Sequence, residues 1–246
     1  MKEIKQKCNY GFTLVELAMV LFIVTLLLGA ILPPLATQIQ QKQIEQTQAQ
    51  LDEAKEVLFG YMFNQNNVLF TYRLPCPDCR DNTGNCAAMT ANDGVEDILG
   101  GASCATAEGN LPWTTLGIRE NDAWGQRFTY RVTSVFADVT DGANSPGSCT
   151  DITLNVSFAL CSDGDMTILD GAMGTNIATG IPAIVVSHGK NWADTPSTDE
   201  TENLNNDANF VYRDFSSDSA TGFDDLIIWI SPHILRTKML NAGILP

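Results

Sequence analysis

Residues 11–32 read GFTLVELAMVLFIVTLLLGAIL, an apolar run that holds a single acid, Glu16. From Phe12 to Leu32 there are 21 residues without Lys, Arg or Asp. As a helix they rise about 31 Å, long enough to cross a bilayer. An ionisable group inside such a span costs roughly 2.5–3.5 kcal/mol at mid-depth, so Glu16 needs a partner and a purpose. Ahead of the run lies MKEIKQKCNYG, with Lys2, Lys5 and Lys7 against Glu3. A secretory signal has a core of about 7–15 apolar residues and a small-residue cleavage site after it. This run is longer, and PPLATQ at 33–38 is a poor cleavage site. A plain anchor accounts for the length and leaves the glutamate unexplained.

Gly11-Phe12-Thr13-Leu14-Val15-Glu16-Leu17 resembles the prepilin cleavage and methylation motif of type IV pilins and type II secretion pseudopilins. The resemblance implies that residues 1–11 are a leader, cut between Gly11 and Phe12 by a prepilin peptidase on the cytoplasmic side. The same peptidase/N-methyltransferase would then methylate the new N-terminus, Phe12. Implied partners are other pilin or pseudopilin subunits and an inner-membrane assembly platform. Physical chemistry agrees with that outline. Cleavage leaves an ammonium on Phe12 and a carboxylate on Glu16, one helical turn away. Opposite charges in an apolar core are tolerable only when paired. In a filament of parallel helices, Glu16 of an incoming subunit can neutralise Phe12 of its neighbour and so set the axial register.

Three lysines precede the run and the next cation is Lys42, which orients the N-terminus to the cytoplasm. The expected protein is a single-pass inner-membrane chain with a periplasmic head, later incorporated into an envelope or surface filament. Cys8 falls in the leader. Cys76, Cys79, Cys86, Cys104, Cys149 and Cys161 remain, an even set for an oxidising compartment. Up to three disulfides are expected, with Cys149–Cys161 the favoured pair. The spacing Cys76-x2-Cys79-x6-Cys86 also admits zinc, although exported thiols tend to oxidise. Net charge is −15. Loss of three Lys and one Glu with the leader leaves 11 basic and 28 acidic residues, a net −17. Such a chain repels nucleic acid, and no basic patch with interleaved aromatics is visible.

The expected organisation is leader 1–11, membrane and assembly helix 12–32, amphipathic helix 33–67 and globular head 68–246. Pro33 and Pro34 should kink or locally melt the helix, because proline removes an i→i−4 bond. Beyond them Ile44, Leu51 and Leu58 recur every seven residues, joined by Ala54, Tyr61 and Met62 in one apolar stripe. That stripe should pack on a sheet. Alternation predicts strands over 128–133 and 152–161, with Ser162–Asp165 turning into Met166–Leu169 as a hairpin. Ile181–Ser187 and Leu226–Ile230 read as more fully buried strands. No parallel βαβ pattern appears. The fold class is α+β, pilin-like, with a long N-terminal helix packed on an antiparallel sheet.

Two stretches of the head are similar to pseudopilins in particular. Asp122-Ala123-Trp124-Gly125-Gln126-Arg127-Phe128-Thr129-Tyr130 resembles the D-x-W-G…Y start of their sheet. Val186-Ser187-His188-Gly189 and Asp224-Asp225-Leu226-Ile227-Ile228-Trp229 resemble their S-x-G…A-D-I-x-x-W end. In that family the intervening loop binds calcium. Here it is far longer and carries Asp194, Asp199, Glu200, Glu202, Asp207, Asp214, Asp218, Asp224 and Asp225. Hard cations take six to eight oxygens from such loops. Asp225 is the first-choice ligand by the match, and a solvated acidic surface is the alternative. Asn92–Asp97 forms a second, shorter acidic cluster. No cofactor is required, calcium being the one ion the loop suggests.

Catalysis is not expected. Ser187 and His188 are adjacent on a strand and point to opposite faces, and no G-x-S-x-G, H-E-x-x-H or phosphate-binding glycine loop is present. Trp113, Trp124, Trp192 and Trp229 read as packing residues. The function expected is that of a structural subunit, a minor pilin or pseudopilin of a type IV pilus-like or type II secretion filament. A filament-tip adhesin or binding module using the acidic loop is the alternative.

Overall fold

The computed structural model describes residues 11, 13–64, 71–138, 155–192, 197–216 and 222–245, with backbone alone for 30–36. The fold is α+β. Helix α1 runs Leu14–Phe63, 50 residues in one element. It opens at Thr13, whose Oγ1 accepts the Glu16 amide at 3.3 Å, and the Thr-x-x-Glu spacing is that of a capping box. The helix continues through Pro33 and Pro34 without a break, so the expected melting there is not seen. A proline forfeits its own i→i−4 bond, and here the flanking ladder carries the helix across it.

The chain divides into two compact units, 1–44 and 45–246. In the first, the apolar side chains from Leu14 to Leu28 are 44–85% exposed, with no face sheltered. Among the described residues no helix is long and apolar enough to cross a membrane.

In the second unit the predicted stripe is realised. Leu51, Ala54, Leu58 and Met62 are buried in a cluster with Tyr130, Val132, Val185 and Ile230. These last belong to a four-stranded antiparallel sheet ordered β3-β4-β7-β9, where β3 is Glu108–Asn110, β4 Thr129–Val132, β7 Ala183–Ser187 and β9 Leu226–Ile230. All five β7 residues are buried. Alternation explains why: Ala183 and Val185 join the helix-side cluster, whereas Ile184 and Val186 pack with Met166, Ile168, Phe210 and Ile227 on the other face. That second layer is a three-stranded sheet ordered β6-β5-β8. In it β5 is Met166–Leu169, β6 Asn176–Ile181 and β8 Asn209–Val211. A short ribbon pairs β1 (Ile98–Leu99) with β2 (Ser103–Cys104). Helices α2 (Trp113–Leu116), α3 (Thr198–Glu202) and α4 (Pro232–Asn241) complete the described elements.

Two strand expectations are corrected. Residues 152–154 lie outside the described set, and 155–161 form no strand. Asn155 sits at φ 62°, Val156 makes one bridge to Tyr72, and Ala159–Ser162 turn on themselves. A left-handed residue ends an extended run whatever its hydrophobic pattern. The hairpin of β5 is therefore made with β6 instead, closed by Asp170, whose carboxylate accepts both Thr175 N at 2.6 Å and Thr175 Oγ1 at 2.8 Å. The sheets are also not wholly antiparallel, since β5 pairs parallel to β8.

Candidate functional site

The long acidic loop folds its acids into different tasks. Glu200, Asp224 and Asp225 converge, each offering a carboxylate oxygen within 4.8 Å of the others. Glu200 arrives on α3, fixed by a capping box with Ser197. Its carboxylate also accepts from Asn191 Nδ2 at 3.2 and 3.3 Å and from Asp224 N at 3.0 Å. Asp225 Oδ2 accepts from Asn203 Nδ2 at 2.7 Å and stands 3.9 Å from His188 Nδ1. Asp224 Oδ2 accepts from Lys190 N at 3.0 Å, while its buried Oδ1 has no hydrogen-bond partner among the described residues. Burial, opposed by that amide and reinforced by Glu200 and Asp225, pushes the Asp224 carboxyl up to about 6. Gly189, at φ 61°, lets the chain pass there, since a Cβ would lie 2.4 Å from Asp224 Oδ1. An orphaned oxygen beside two further carboxylates suits a hard cation.

Two of the loop's other acids are committed elsewhere. Asp199 pairs with Arg213. Asp207 closes a local turn with Asn205 and Asn209. Asp194 and Asp218 lie outside the described residues. The acids of the cluster at 92–97 make structural bonds. Glu96 pairs with Arg73, Asp97 accepts the Cys79 amide at 2.8 Å, and Asp93 accepts Val95 N at 2.9 Å. The cysteines are oxidised as Cys76–Cys104 and Cys79–Cys86, which removes the thiolates that zinc would have required. Cys161 is also disulfide-bonded, and Cys149, its expected partner, lies outside the described residues.

At the other end of the chain Gly11 is exposed and Phe12 lies outside the described residues. Glu16 sits in the first turn of α1, exposed, its carboxylate without a hydrogen bond or ion pair among the described residues. Residues 6–32 match the family described as the prokaryotic N-terminal methylation motif. Over that N-terminal segment the match supports the resemblance to type IV pilins and pseudopilins. No curated protein and no solved structure matches the chain.

In the head the two sequence motifs meet. Asp122 Oδ1 accepts Trp124 N at 2.9 Å and Gln126 N at 2.8 Å, holding the D-x-W-G turn. Its Oδ2 accepts the Ser187 hydroxyl at 2.6 Å, tying that turn to the end of β7. His188 points away from this bond, its Nε2 2.7 Å from Thr129 Oγ1. Sequence reasoning missed two features of the head. The Arg73–Glu96 pair is one: Glu96 stands in sequence only as part of the acidic cluster at 92–97, and Arg73 stands in no motif. The other is a cavity beside Trp192, which is 48% exposed rather than packed.

Proposed function

We propose that the chain is a minor pilin or pseudopilin, stored in the inner membrane by residues 12–32 with its head in the periplasm. The prepilin peptidase/N-methyltransferase matures it, and an assembly platform moves it into an envelope filament. The observation that carries this reading is the matched motif on a helix whose apolar residues are exposed all round. A helix apolar on every face is stable only among lipids or other apolar helices. A filament of parallel N-terminal helices supplies the second environment after a membrane has supplied the first. The decisive experiment is mass spectrometry of the N-terminus recovered from native membranes. The expected mature chain begins at N-methylated Phe12. A chain that retains Met1 and an unmodified amine refutes the reading.

Calcium is proposed for the Glu200, Asp224 and Asp225 cluster, where it would neutralise the crowded carboxylates and fix α3 against β9. Saturation a hundredfold above Kd stabilises a fold by about 2.7 kcal/mol, roughly 5–10 °C in Tm for a domain of this size. Exchanging calcium for a chelator should therefore lower the Tm of the wild-type chain, and the difference should vanish in Asp225→Ala. Equal Tm values with and without calcium in the parent chain would rule the ion out.

A further inference from the structure

A cavity of about 550 Å3 opens where edge strand β3 meets the loops that follow β7 and α3, its walls including Arg80, Glu108, Gln126, Arg127, His188 and Trp192. That volume lies within the roughly 300–1,000 Å3 of small-molecule sites. Both arginines are already matched. Arg80 Nη1 donates to Glu108 Oε1 at 3.2 Å, and Arg127 Nε donates to Glu120 Oε1 at 2.9 Å. The cavity thus offers little uncompensated charge to an ion. What it leaves unused is neutral or accepting. The Gln126 and Asn121 amides make no side-chain hydrogen bond among the described residues, and Asn110 uses only its Nδ2, toward Asp78 and Asn92. Glu108 Oε2 is buried without a hydrogen bond, the Arg131 guanidinium standing 3.9 Å away.

These groups select a ligand class. A phosphate or sulfate presents acceptors only and would meet the oxygens of Glu108 and Asn110 head on. A cation would meet two guanidinium groups. A hydroxyl is donor and acceptor at once and satisfies amides and carboxylates alike. The half-exposed indole of Trp192 adds a flat apolar surface with one polar edge, suited to the C–H face of a pyranose. We propose that this cavity binds a neutral oligosaccharide, with Trp192 as the stacking platform and Gln126 and Asn110 reading the hydroxyls.

This inference is independent of the filament reading, and either can fail without the other. The test uses the full chain in phosphocholine micelles, which bring no sugar. Maltotriose, cellotriose and triacetylchitotriose, each at about 10 mM to reach weak affinities, are followed by saturation-transfer NMR and tryptophan fluorescence. At least one should bind, and Trp192→Ala and Gln126→Ala should each weaken it by about tenfold or more. Both positions are at the cavity surface, and circular dichroism checks that the variants stay folded. The proposal is overturned if no trisaccharide binds, if binding survives both substitutions, or if inorganic phosphate displaces the sugar from the wild-type cavity.

Discussion

Glu96→Ala should be the most destabilising single substitution in the head, lowering its unfolding free energy by about 3–5 kcal/mol. Arg73 is fully buried and gives Glu96 two bonds, Nη1 to Oε2 at 2.8 Å and Nη2 to Oε1 at 2.9 Å. Glu96 also accepts from the Tyr61 hydroxyl at 2.5 Å and from Cys76 N at 3.1 Å. Burial and the adjacent carboxylate push the Tyr61 hydroxyl well up, so it remains a donor. One carboxylate thus joins the last turns of α1, the chain at Arg73 and the first disulfide. Its removal strands a guanidinium in the core, and the loss of a partner costs far more than the net value of an intact pair. Urea unfolding of the full chain in detergent, read by near-UV circular dichroism, measures the loss. Glu96→Gln keeps the acceptor and should lose less. The double variant Arg73→Met, Glu96→Leu should recover much of the stability, because it removes both charges together. A Glu96→Ala chain as stable as the parent would show that water reaches Arg73 after all.

Much of this fold was legible because periodicity is a local signal. Leu51, Ala54, Leu58 and Met62 fall on one helical face and are buried together, as their spacing requires. The strands at 129–132, 183–187 and 226–230 stand where alternation or an unbroken apolar run put them. The failure at 152–161 is equally physical. Its alternation is real, but Asn155 adopts positive φ and Val156 is recruited by a single bridge to Tyr72, a tertiary demand that no local pattern encodes. The same holds for β5, which took a partner one segment downstream and then a parallel neighbour from β8.

Sites divided along the same line. The N-terminal motif is contiguous, so its residues could be read directly. The convergence of Asp224 and Asp225 with Glu200 was half visible: the acids were countable, while the choice of Glu200 over Asp199 or Glu202 depended on a capping box that turns one face of α3 inward. The cavity was invisible. Its walls come from six separate stretches of chain, and Trp192 resembles any packed tryptophan until its exposure is known. The cysteine count announced disulfides, whereas the pairing of Cys76 with Cys104 depended on the β1–β2 ribbon bringing the latter back.

Glu16→Ala should abolish filament assembly while leaving the folded head intact. The Glu16 carboxylate has no partner among the described residues of its own chain, so what it offers is directed outward from the helix. In the proposed filament, each cleaved subunit would bring a Phe12 ammonium into the same apolar layer. An unpaired charge there costs several kcal/mol, and losing one member of a buried pair costs about 3–5 kcal/mol, or more than a hundredfold in the docking constant. The loss recurs at every subunit added, so filament length should collapse rather than shorten slightly. Glu16→Gln separates charge from shape: it keeps the size and hydrogen-bonding capacity, removes the neutralising charge, and should assemble as poorly as alanine. The measurement is the sheared filament fraction from cells expressing each variant at equal levels. N-terminal mass spectrometry confirms that processing at Gly11 still occurs, and the Tm confirms the head is folded. Filaments of parental yield and length from Glu16→Gln would show that register is set elsewhere along α1, by shape complementarity of its apolar residues alone.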